Sequence, residues 1–196
     1  MAVIQAYPRL ARAAVAAQLT GDRPPSPAAF APDETVWRPR RACFVSLKTR
    51  AGDLRGCIGT IWPTRDNLGQ EIMANAVAAA GRDPRFPPLA PAELPATFFS
   101  VDVLSEPEEV SDWSELDPAR WGVIVSRGSR RGLLLPDLPG VVTVEQQVSI
   151  AARKAGLIEA SLIEASLADC RDLSLQRFSV TRHPEERAAE GAEAGP

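Results

Sequence analysis

Three stretches of the sequence gather residue types that can do chemistry. The first is DLRGCIGTIWP, Asp53 to Pro63, where Cys57 stands between Gly56 and Gly59 and two residues after Arg55. A thiol acts as nucleophile or redox group through its thiolate, and a nearby cation favours that form. Residues two apart on a strand point to one face, which predicts Arg55 beside Cys57. The same cysteine fits a quieter role, because free cysteine is among the most buried residue types and is inert when enclosed. From the residues alone the buried thiol is the leading reading. Glycine inside a strand marks a bulge or the close approach of another backbone or a ligand. Here it predicts a notch between Arg55 and Ile58 that receives something other than the protein's own interior.

The second stretch is DPRF, Asp83 to Phe86. Proline keeps Asp83 out of helical geometry and stiffens the loop that presents Arg85. Arg85 held on such a loop suits a carboxylate or a phosphate. Equally, Asp83 can cap backbone amides while Phe86 plugs the core. The third is Asn75, a polar residue on the stripe of Leu68, Ile72 and Ala79. It is either hydrogen-bonded in the core or reaches a cleft. Arg127, Arg130 and Arg131 in SRGSRRG read as a solvated hairpin turn, with a small anion patch as the lesser reading.

Other chemistries are not encoded. The single histidine, His183, falls in a charged C-terminal tail, and neither Cys-x-x-Cys nor His-x-x-x-His occurs. No metal site and no Cys–His or Ser–His dyad is expected. RGCIG matches neither G-x-G-x-x-G nor G-x-x-x-x-G-K-[ST], so no nucleotide and no other cofactor is expected. Cys43, Cys57 and Cys170 make an odd, widely spaced set, which fits a reducing compartment rather than a disulfide framework. The net charge of −3 speaks against nucleic acid. No apolar run approaches the ~20 residues of a membrane span, and no signal peptide is evident. The expectation is a soluble cytoplasmic protein, and the abundance of Ala, Arg and Pro points to a bacterium.

The elements that must position these residues alternate without a βαβ rhythm. A helix is predicted from Pro8 to Gly21, followed by a proline-rich wrapping loop anchored by Phe30 and Trp37. Ala42–Lys48 and Leu54–Trp62 form a hairpin, with Cys43 close to opposite Cys57. A helix capped by Asp66 runs to Gly81. Ala96–Ser105 is a strand, the acidic stretch after it is a loop, and Gly122 to Pro136 is a second hairpin. A helix begins with a Thr143–Gln146 capping box and ends at Gly156. LIEAS occurs twice from Leu157, and LSLQRFSVTR is one last strand. The fold class is α+β with a mainly antiparallel sheet.

FVSLKTRAGDLRGCIGTIWP, NAVAAAGRDPRFPPL, FSVDVLSEPEEV, GLLLP and ARKAGL, in that order, resemble the AMMECR1 domain. The resemblance implies two subdomains over residues 1–182, a larger one with both termini and an inserted β-rich lobe, with a cleft between them and a disordered tail at 183–196. It also implies a functional site at the hexapeptide Leu54, Arg55, Gly56, Cys57, Ile58 and Gly59, joined by Asp83, Pro84, Arg85 and Phe86. It implies partners as well, a Memo-like protein and a radical SAM enzyme of the AmmeMemoRadiSam system, for which the family carries no settled reaction. The matching region before the second hairpin lacks the histidine common in the family. Two functions follow from this reading. One is an accessory module binding a partner protein or small ligand at the hexapeptide. The other is an enzyme with Cys57 as nucleophile or redox thiol and Arg55 or Arg85 orienting an anionic substrate.

Overall fold

A computed structural model of the chain describes residues 2–158 and 173–186. The chain divides into two compact units, Met1–Val103 with Arg182–Pro196, and Leu104–Thr181.

The first unit packs α1 (Ala2–Thr20) and α2 (Leu68–Gly81) against a four-stranded sheet. The sheet holds β1 (Cys43–Lys48), β2 (Leu54–Gly59), β3 (Phe98–Leu104) and β8 (Val180–Pro184), in the order β2-β1-β3-β8. Cys43, Val45 and Leu47 alternate inward on β1, opposite Val103, Val101 and Phe99 of β3. That row meets Leu10, Val15, Ile72, Ala76 and Ala79 of the helices to make the core. The proline-rich loop after α1 forms two short 3-10 turns, and Trp37 is buried with its Nε1 donating to the Ala31 carbonyl at 2.9 Å.

The second unit is a four-stranded sheet, order β4-β7-β5-β6, under α3 (Val144–Lys154). Its strands are β4 (Glu108–Val110), β5 (Gly122–Arg127), β6 (Arg130–Leu134) and β7 (Ser174–Phe178). The Thr143–Gln146 capping box is formed. Gly132 lies under α3, where a methyl group would overlap the Ala151 carbonyl oxygen. Arg127 and Arg130 donate to the carbonyls of Leu157 and Gly156 at 2.9 and 2.6 Å, so they fasten the chain beyond α3 rather than form a free anion patch.

The α+β class with antiparallel sheets holds, and several boundaries move. The first helix starts at Ala2 and carries Pro8 inside it. Asn67, not Asp66, caps α2 by accepting from the Gln70 amide. The acidic stretch after β3 yields β4, which pairs with β7. The expected last strand is two, because the chain passes from one sheet to the other between Phe178 and Val180. Cys43 and Cys57 are not opposed. Cys57 pairs with Ser46, three residues from Cys43, so the two thiols lie on opposite faces. Cys170 and all but the first two residues of the LIEAS repeat lie outside the described residues.

His183 is not a solvated tail residue. It lies on β8, 9% exposed, with its ring 4.7 Å from that of Tyr7 at 70°. Glu185 follows it into the structure, where Arg12 and the Phe99 amide bind its carboxylate. Burial holds the His183 pKa below its ordinary 6.5, with Asp102 pulling the other way. The unfolded chain therefore takes up the proton first. Stability is complete above about pH 6.5 and falls as the pH drops through that value toward the lowered one. Thermal melts between pH 7 and pH 5 are expected to slope downward, and His183→Phe should flatten that slope. An unchanged slope would free His183 of this role.

Candidate functional site

The hexapeptide is the whole of β2, an edge strand. Its register with β1 slips between Leu47, opposite Gly56, and Lys48, opposite Leu54. Arg55 is the extra residue, and a bulge of this kind re-aims its side chain. The guanidinium leaves the sheet edge and clamps the loop beyond α2. It donates to the carbonyls of Pro87 at 3.0 Å and Pro88 at 3.4 Å, and pairs with both oxygens of Glu93 at 2.8 and 3.0 Å. This pairing raises the Arg55 pKa and lowers that of Glu93. The bulge thus parts Arg55 from the thiol that the two-residue spacing had set beside it.

The DPRF loop closes the open edge of β2 at a single residue. The Cys57 amide donates to Asp83 Oδ2 at 2.8 Å, and Arg85 Nη2 donates to the Cys57 carbonyl at 3.4 Å. The pair stands in for a missing neighbouring strand. Asp83 is 3% exposed and also accepts from the Arg85 amide, Nε and Nη2 at 3.1, 3.0 and 2.7 Å. The Arg85 side chain, ahead of these amide bonds, holds the Asp83 carboxyl far below the usual carboxylate range. The Arg85 guanidinium also lies over the Phe86 ring, 5.5 Å from its centroid.

The expected notch at the glycines is filled from within. A methyl at Gly56 would overlap the Ala79 carbonyl oxygen of α2, and one at Gly59 would overlap the Phe44 ring. The backbone whose close approach the glycines permit is the protein's own. A hollow does lie beside Arg55, a cavity of about 310 Å³ lined by Thr49, Arg50, Ala51, Arg55, Glu93, Ala96 and Thr97. Leu54 opens onto solvent at 39% exposure, and Trp62, just past the strand, at 38%.

Cys57 is half-buried and its sulfur accepts from the Ser46 hydroxyl at 3.2 Å. Cys43 is fully buried and its pKa is pushed up to about 12 by burial. Iodoacetamide at pH 8 is therefore expected to label Cys57 and to spare Cys43 until the chain is unfolded in urea, as peptide mass mapping would show. Labelling of Cys43 in the native protein would contradict this placement.

Asn75 reaches the core and not a cleft. Its Nδ2 donates to the Cys43 carbonyl at 3.0 Å and lies 3.5 Å from the Thr60 hydroxyl, tying α2 to β1. Ile58 also turns inward and packs on the core. Sequence reasoning missed two carboxylates. Glu71 is fully buried and accepts from the Thr60 hydroxyl and the Thr64 and Arg65 amides. Its place three residues after Leu68 and four before Asn75, on the apolar stripe of α2, was the available signal. Glu93, the partner of Arg55, had none, since 38 residues separate the two. Among the described residues no group of three or more His, Cys, Asp or Glu side chains is gathered as metal ligands would be, and no helix is long and apolar enough to cross a membrane.

Known proteins place this architecture. The sequence profile described as AMMECR1 matches residues 8–183. A protein of Thermotoga maritima is 51% identical over 156 residues, covering 78% of this chain and 84% of its own length. A protein of Clostridium acetobutylicum is 49% identical over 146 residues, and the match covers 74% of this chain and 29% of that longer one. The crystal structure of the uncharacterized protein PH0010 from Pyrococcus horikoshii superposes with a TM-score of 0.74 at 29% identity, covering 90% of this chain and 88% of that one. The profile spans nearly every described element, both sheets included, and the chain belongs to the AMMECR1 family.

Proposed function

We propose that this chain is the accessory, binding member of an AmmeMemoRadiSam system in the bacterial cytoplasm, and that the surface around Leu54 docks a Memo-like protein acting with a radical SAM enzyme. The observation that carries the proposal is a pair of exposed apolar residues, Leu54 at the start of β2 and Trp62 three residues past its end. Among the described residues three large hydrophobic side chains are exposed, and two of them are Leu54, which opens the hexapeptide, and Trp62, which follows it. Exposed apolar side chains rimmed by polar groups mark interaction surfaces. The cavity beside Arg55 and the exposed part of Glu93 supply such a rim. Both site arginines already hold carboxylates, so an anionic substrate would have to displace Glu93 or Asp83. That favours recognition over turnover.

The test is affinity capture of the Memo-like protein encoded by the same genome. The wild-type chain should retain it, Leu54→Glu should weaken capture about tenfold, the loss of one anchor side chain, and Cys57→Ser should leave it intact. Failure of the wild-type chain to retain the partner, or full retention by Leu54→Glu, would discard the reading. A second reading, with Cys57 as a reactive thiol, draws on its partial exposure and on the Ser46 hydroxyl at its sulfur. Loss of capture in Cys57→Ser would move weight to it.

A further inference from the structure

In the first unit, α1 and α2 leave a groove between them. One part, about 330 Å³, is lined by Ala14, Ala17, Met73, Ala74 and Val77, with Gln18 and Gln70 among the polar groups. A second part, about 320 Å³, shares Gln18 and Val77 with the first and continues along Val15, Leu19, Ala80 and Leu89. Each part has the size of a small-molecule pocket. The walls are aliphatic, and Met73 adds an adaptable thioether.

Two arginines line the first part, Arg65 just before α2 and Arg82 just after it. Neither makes an ion pair or side-chain hydrogen bond among the described residues, although their backbones are tied by Glu71 and Ala78. The acidic residue of the lining, Asp22, accepts instead from the Thr20 hydroxyl at 2.5 Å. Arg55 and Arg85, at β2, are by contrast committed to Glu93 and Asp83. An aliphatic trough with unspent positive charge selects an apolar body carrying a negative head, which guanidinium binds through two parallel hydrogen bonds.

We propose that the α1–α2 groove binds a free aliphatic monocarboxylate, its chain along Ala74 and Val77 and its head at Arg65 or Arg82. The groove shares no lining residue with the cavity beside Arg55.

The sequence has two methionines, Met1 and Met73, so methyl-labelled methionine gives a reporter inside the groove. Dodecanoate, added below its micelle concentration, is expected to shift the Met73 methyl resonance saturably. Dodecyltrimethylammonium and phosphatidylglycerol vesicles at equal chain concentration should not. The double variant Arg65→Gln/Arg82→Gln, altered at exposed side chains, should weaken dodecanoate binding about tenfold, and Val77→Trp, which fills the trough, should abolish it. No saturable shift with dodecanoate, an equal shift with the cationic amphiphile, a response to vesicles alone, or undiminished binding by the double arginine variant would each overturn the proposal. Should Val77→Trp disturb folding, the double arginine variant decides alone.

Discussion

Gly56→Ala is expected to destabilise the protein by about 3 kcal/mol, near the upper end for overpacking a core. Gly56 is buried on β2, and the added methyl meets the Ala79 carbonyl oxygen, which is backbone inside a helix and has no rotamer to yield. Either α2 lifts from the sheet or β2 bends away, and both open contacts with Ile72 and Ala76 at the core. For a chain of this size the loss corresponds to roughly 6–12 °C in melting temperature. Gly81→Ala is the matched control. It lies at the end of the same helix with open space around it, and alanine there should add up to about 1 kcal/mol through helix propensity. Melting curves that show the two variants alike would remove the packing account of the hexapeptide.

The second large effect is at Asp83. Asp83→Ala strands the Cys57 amide and leaves the Arg85 guanidinium without its partner. Loss of a buried acceptor serving several donors costs roughly 2–3 kcal/mol, although the half-exposed Arg85 recovers water and tempers the figure. The edge of β2 should fray locally, and amide exchange at Cys57 should rise more than at Val45 on the paired strand. Because the folded carboxyl titrates below its ordinary 3.8, its contribution is complete above that value and is lost as the pH falls beneath it. The acid limb of the stability profile should therefore be shallower in Asp83→Asn than in wild type. Equal limbs, or unchanged exchange at Cys57 in Asp83→Ala, would show that Asp83 does not hold the edge.

Much of the fold was legible because local signals agree with it. Alternation in FVSL and FFSVDV, the AGD turn and the Thr143–Gln146 cap each name their element without help from the rest of the chain. The candidate site was legible in its parts and not in its assembly. LRGCIG and DPRF could be singled out, but their joining at the Cys57 backbone depends on a loop crossing an edge strand 26 residues away. The bulge that turns Arg55 off the sheet face leaves no trace in a two-residue spacing. His183 looked solvated because its neighbours are charged. Its burial comes from Tyr7, at the other end of the chain, which no local pattern could announce.

Among the described residues the close seating of a helix on a strand glycine occurs once in each unit, Gly56 beneath Ala79 and Gly132 beneath Ala151. Both glycines are third on the outer strand of a hairpin, both follow an arginine, and both hairpins lead into the helix and then a strand that joins their inner edge, in the orders β2-β1-β3 and β6-β5-β7. Among the described elements one ββαβ plan is thus written twice, and the outer strand of its second copy, RRGLL, carries no cysteine. An Arg–Gly step at this place is a mason's mark for the scaffold. Anyone hunting new catalysts with LRGCIG as bait would haul in architecture first.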